Sequence, residues 1–114
     1  MKEFTTTSLK NISQDVSFLK EFLKLSYDSL QEAKTIFKAS FINRDIEKYR
    51  QIAHKIKTTL VLLGLTNFHS TISSGKELLQ TADDASLNTF QLTVLSNLDT
   101  TLNLIDQEIS NLKS

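Results

Sequence analysis

At 114 residues the chain accommodates one domain with a single core and leaves no room for separate catalytic and regulatory domains. Thirteen basic and thirteen acidic residues cancel, which argues against a bulk electrostatic attraction to nucleic acid or to an anionic membrane. The absence of cysteine excludes a disulfide framework, thiolate metal ligation and thiol nucleophiles.

The first residues, Met1 to Thr7, lack the apolar core of a signal peptide, and no apolar run approaches the roughly 18 residues of a membrane span. The expectation is a soluble cytoplasmic protein. Zero prolines and two glycines leave few tight turns, since hairpins recruit those residues for their backbone angles. Long helices follow.

The spacing predicts a short first helix over about Thr7 to Asn11, with Ser13 placed to cap the next one and Asp15 in its first turn. From there Val16, Leu19, Leu23, Ser26, Leu30, Ala33, Phe37 and Phe41 recur at steps of three and four, a buried stripe on a helix of about Asp15 to Ile42. Phe18, Phe22 and Leu25 widen the apolar face near its start, so that end is expected to pack against two neighbours. Asn43-Arg44-Asp45 breaks the pattern, and Ile46, Tyr49, Ala53, Ile56, Leu60 and Leu63 form the stripe of a third long helix ending at Gly64.

Thr66 or Asn67 is the expected cap of the next helix, which carries Phe68, Ile72, Leu78 and Leu79 inward and fades by Ala82. Gly75 on that helix would admit a neighbouring backbone. Asp83-Asp84-Ala85-Ser86 reads as turn and cap, followed by Leu87, Phe90, Val94, Leu98, Thr101, Ile105, Ile109 and Leu112 on a final helix running nearly to the C-terminus. Four long helices with one-sided stripes and short connections bury those stripes most simply as an antiparallel up-down bundle, here with a short extra N-terminal helix. The whole chain, residues 1–114, reads as this single all-α domain.

His54 follows the core position Ala53 by one residue, so it sits about 100° round the helix and flanks the core without entering it. Arg50, Lys57, Thr58 and Val61 share its face at helical spacing, a stripe with a basic and then an apolar end. No Asp or Glu occurs between Lys48 and Lys76, whereas Arg50, Lys55 and Lys57 do; no Lys or Arg occurs between Glu77 and Leu112. The zero net charge therefore hides a polarised molecule whose positive patch surrounds His54. Val61 leads an uncharged margin suited to docking. Pattern alone, however, makes a histidine on a helix flank most often a solvated side chain. His69 reads as an ordinary surface residue, since Phe68 and Ile72 claim the inner face of its helix.

At these residues the sequence resembles the histidine-containing phosphotransfer (HPt) domains of multistep two-component relays. The specific part is His54-Lys55-Ile56-Lys57 followed by Leu63-Gly64-Leu65, and the likeness covers about Asp15 to Ser110. The resemblance implies that His54 is the phosphorylated histidine, Lys57 the lysine that compensates phosphoryl charge, and Gly64 the helix-ending glycine. Two positions depart from the usual pattern. Thr58 stands where the family commonly has glycine. Lys76 stands where the family often places a glutamine or an acidic residue to hold the imidazole, with Glu77 adjacent, and either residue is open as its replacement.

The chemistry implied is that of a phosphoryl carrier, not an autonomous kinase. Imidazole, with an ordinary pKa near 6.5, offers a nitrogen lone pair at neutral pH without a strong base. By resemblance it takes the phosphoryl group from a receiver-domain aspartate and passes it to a second receiver. The expected partners are response-regulator receiver domains and a hybrid sensor histidine kinase, with no nucleic acid and no membrane, and the protein is expected to act as a monomer. No cofactor of its own is implied; Mg²⁺ belongs to the receiver. The rival reading is a helical adaptor, a degenerate relay domain that binds a receiver or kinase without being phosphorylated. A metal or haem bundle needs converging ligands, which two histidines and no cysteine do not supply.

Overall fold

The computed structural model describes residues 3–112, and among them the chain is all-helical, with no strand. Six helices follow in order: α1 (Thr7–Ile12), α2 (Val16–Asn43), α3 (Ile46–Lys55), α4 (Lys57–Leu62), α5 (Thr66–Thr81) and α6 (Asp84–Asn111). The two longest, α2 and α6, have 28 residues each, about 42 Å at 1.5 Å per residue, and they set the long dimension of a body measuring 48 × 22 × 20 Å. Contacts run from α2 to α6 and α3, and from α5 to α3, α4 and α6, closing a ring around one core.

The predicted stripes form that core. On α2, Leu19, Leu23, Ser26, Leu30, Ala33, Phe37 and Phe41 are buried; on α6, Leu87, Val94, Leu98, Thr101 and Ile105 are. Ile56, Leu60, Leu63, Leu65 and Ile72 complete the interior from the middle of the chain, and each fully buried aliphatic side chain contributes about 1.5–3 kcal/mol. The polar positions within the stripes are satisfied inside their own helices. Ser26 Oγ donates to Phe22 O and Ser40 Oγ to Ile36 O, both at 2.8 Å, so these buried hydroxyls carry no desolvation penalty.

Several local expectations change. Asp15, not Ser13, caps α2: its carboxylate accepts from the Phe18 N–H at 3.2 Å, while Ser13 Oγ accepts from the Asp15 N–H. Phe18 and Leu25 are not covered by a second neighbour; they remain 40% and 59% exposed, and only Phe22 of that group packs against the core. α5 begins at Thr66, and its N-cap position, Leu65, provides no side-chain cap. Its free N–H groups are instead taken by Glu3, whose carboxylate oxygens accept from Asn67 N and Phe68 N at 3.1 Å each. A single-residue reading of Thr66-Asn67 has no access to a partner more than sixty positions upstream.

Gly64 does end a helix, as its position predicts. With φ at 78° it stands in the left-handed region, and the bonds Leu65 N–H to Leu60 O (2.8 Å) and Gly64 N–H to Val61 O (3.0 Å) make the paired C-terminal motif that favours glycine. The N-terminal segment lies across it, tied by the Thr5 N–H to Leu63 O at 2.9 Å. A β-carbon here would stand 2.8 Å from Glu3 O and 2.5 Å from Thr5 Cγ2. Gly75 also makes room, but for side chains and not for a backbone: the Tyr49 hydroxyl and the edge of the Phe90 ring fill the space a β-carbon would need.

The largest departure is in the helix that carries the histidine. The spacing predicts one helix from Ile46 to Gly64; the chain forms two, interrupted at Ile56. The backbone ladder runs to Ile56 N–H on Ile52 O (3.2 Å) and resumes at Leu60 N–H on Ile56 O (3.0 Å). Ile56 itself, at φ −90° and ψ 0°, lies in the bridge region and is fully buried. The stripe continues through the break, which is why periodicity does not reveal it.

Candidate functional site

Arg50 and His54 on α3 and Lys57 at the start of α4 follow one another at four and three residues; His69, Ser73 and Lys76 do the same on α5. Because α3 and α5 pack together, the two rows face each other. They line an open cleft of about 280 Å³, whose inner wall is Tyr49 and Ala53. Among the described residues, every ionisable group lining it other than Tyr49 is a histidine, a lysine or an arginine, and no carboxylate lines it.

Within this cleft the His54 side chain is exposed, and among the described residues no protein group hydrogen-bonds its ring. The cations differ in how free their charge is. Arg50 is engaged by Glu47 at two points, Nη2 to Oε1 at 2.6 Å and Nε to Oε2 at 3.3 Å. The pairing holds the Glu47 carboxyl below its ordinary range and pushes the Arg50 guanidinium up. Lys57 and Lys76 carry no such partner among the described residues, and they are the cations best able to meet an added anion.

The sequence-predicted residues therefore divide. His54, Lys57, Arg50 and Lys76 come together. Lys55 does not: it points to the other side of α3, where it lines a separate hollow with Ile36, Lys48, Gln51 and Ile52 and lies 3.7 Å from Glu32 of α2. Thr58 and Val61 are exposed on α4 outside the cleft, Val61 at 40%. Of the two adjacent candidates on α5, Lys76 lines the cleft and Glu77 does not. The positive patch is thus narrower than a count of charges along the chain implies, because Glu47 and Glu32 reach two of its members.

The sequence reading places Tyr49 in the core stripe, which holds, takes His69 for an ordinary surface residue, which its half-buried position in the cleft corrects, and does not single out Ser73. Tyr49 is a core residue whose hydroxyl donates to Ile72 O at 2.5 Å, and burial pushes its phenol well above the ordinary value. His69 is half-buried, with Nε2 3.1 Å from Ala53 O. Since a carbonyl only accepts, Nε2 carries the proton in this bond. One signal was present in the sequence: His69 follows buried Phe68 as His54 follows buried Ala53, so both flank the core seam.

No known protein family, no curated protein and no solved structure matches the chain. Among the described residues no helix is long and apolar enough to cross a membrane, and no group of three or more metal-ligating side chains is found.

Proposed function

We propose that the protein is a histidine phosphotransfer carrier of a two-component phosphorelay, built as an antiparallel four-helix bundle of the HPt kind with α3 and α4 serving together as its histidine-bearing helix. The observation that carries the reading is the cleft: an exposed imidazole, His54, beside Lys57, with Lys76 on the facing wall and, among the described residues, no ion-pair partner for either lysine and no carboxylate in the lining. Such a site favours a phosphoryl group on the ring and leaves the attacking nitrogen open to a partner protein.

In the transfer, a ring nitrogen lone pair of His54 attacks the phosphorus of a receiver's aspartyl phosphate. The N–P bond forms as the acyl O–P bond breaks and the aspartate leaves as carboxylate; the second ring nitrogen keeps its proton. Passage to another receiver is the reverse reaction. Lys57 compensates charge on the phosphoryl oxygens, and Mg²⁺ is held by the receiver. The partners are receiver domains and a hybrid histidine kinase of the cytoplasm, and a monomer suffices, since no second copy is needed to complete the cleft.

A specific observation supports one alternative. The facing wall offers His54 no carboxylate or side-chain amide, and Lys76, which accepts no hydrogen bond while protonated, stands where the resemblance expects the group that orients the ring. An adaptor that binds a receiver without chemistry would tolerate this. The two are separated by incubation with a phosphorylated receiver: a carrier acquires acid-labile label on His54, and His54→Gln acquires none. Binding without label, or equal labelling of His54→Gln, would sink the carrier assignment.

A further inference from the structure

The break at Ile56 separates the two residues that the cleft needs together, His54 at the end of α3 and Lys57 at the start of α4. An interruption in a helix interior strands backbone carbonyls, and a stranded buried carbonyl is costly unless something donates to it. In an unbroken helix the Ala53 oxygen would pair with the Lys57 N–H. Here it faces His69 Nε2 at 3.1 Å, on a neighbouring helix, and Ala53 is buried. The carbonyl belongs to the peptide unit that ends in the His54 nitrogen, so whatever holds it holds the peptide plane leading into His54.

We propose that His69 is a positioning residue for His54. Its Nε2–H satisfies the carbonyl that the break frees, keeps α3 and α4 as separate segments, and so fixes the direction in which the His54 ring enters the cleft relative to Lys57. His69 stands on the same wall as Ser73 and Lys76 and is half-buried, which limits the exchange of Ala53 O for water. The role calls for a donor at the reach of Nε2, not for an imidazole as such. Glutamine, whose side-chain N–H extends comparably, is therefore the conservative replacement, and phenylalanine is the replacement that keeps ring volume and removes the donor. The consequence for transfer rests on the carrier reading; the consequence for the geometry of His54 does not.

The experiment uses the full chain as wild type, His69→Phe and His69→Gln, with two readouts. NMR follows the His54 ring resonances and amide exchange at Lys57 and Thr58, and labelling by a phosphorylated receiver follows the transfer rate. His69→Phe is expected to displace the His54 resonances, alter exchange at Lys57, and slow labelling about tenfold, the scale of one hydrogen bond. His69→Gln is expected to restore both towards wild type, whereas a purely space-filling role would be served better by phenylalanine. The proposal is overturned if His69→Phe leaves the His54 resonances at wild-type positions, or if glutamine restores nothing. Should the wild type take no label, the carrier reading falls and the resonances alone decide the role of His69. Should His69→Phe fail to fold, the wild-type ring decides it: a solvent-protected Nε2–H supports the bond to Ala53, and a proton on Nδ1 with bare Nε2 refutes it.

Discussion

The Tyr49 hydroxyl donates to the carbonyl oxygen of Ile72 at 2.5 Å, in the interior between α3 and α5 and directly beneath the basic cleft. This contact joins the two helices that carry the cleft's facing rows, and the absence of a β-carbon at Gly75 makes space for it. Tyr49 also packs its ring against Phe37 and Phe41, with centroids 5.0 and 5.4 Å away, so its position is set from both sides.

Tyr49→Phe is therefore expected to lower stability by about 1 kcal/mol, one buried hydrogen bond. Gly75→Ala is expected to cost about 1–3 kcal/mol, because the new methyl must displace the phenol or the Phe90 ring. The double variant should lose less than the sum, since removing the hydroxyl relieves part of the clash. Urea denaturation of the four proteins gives the coupling, and strict additivity would show that the two sites do not meet as described.

Glu3 and Gly64 form a second linked pair. Gly64→Ala is expected to cost about 1–2 kcal/mol from the left-handed backbone alone. It should cost more through displacement of the Glu3–Thr5 segment that crosses the turn. Glu3→Ala is expected to cost about 1 kcal/mol by uncapping α5, and amide exchange at Asn67 and Phe68 should rise specifically. Unchanged exchange at those two amides in Glu3→Ala would rule out the long-range cap.

The start of α6 has a pH signature. Asp83 accepts from the Ser86 N–H at 2.7 Å, and this bonding holds its carboxyl below the ordinary aspartate value of 3.8. A depressed folded-state value means that the charged form stabilises the fold above the unfolded value and that this contribution disappears as pH falls through the folded one. Asp83→Asn, which keeps an acceptor without the charge, should melt below wild type at pH 7, and the gap should close as the pH is taken downward from 3.8. A gap independent of pH would mean the charge contributes nothing.

Within the proposed transfer, the division of the basic residues can be read directly. Lys57→Ala and Lys76→Ala should slow labelling of His54 by about tenfold or more, as loss of a cation facing the phosphoryl group requires. Lys55→Ala and Glu77→Ala should stay within about twofold, because both side chains lie outside the cleft. Receiver labelling assays on the four variants, with melting curves to exclude unfolding, test this; a Lys55→Ala defect equal to that of Lys57→Ala would contradict the placement.

What the sequence by itself determined is local to each helix. Leu19 to Phe41 and Leu87 to Ile105 turn inward because spacing of three and four residues places side chains on one face of any helix that forms. His54 could be placed beside the core seam, and Gly64 at a helix end, on the same grounds. Rotation and offset between helices leave no trace in spacing. They decided that Lys76 and not Glu77 faces His54, that Lys55 is turned towards Glu32, and that Glu47 engages Arg50. They also supplied partners from far along the chain: Glu3 caps α5, and His69 takes the Ala53 carbonyl. The break at Ile56 belongs to this second group, because its stripe continues unaltered on either side. At that break the Ala53 carbonyl, next to the residue where the function is proposed to lie, meets a donor brought in from another helix.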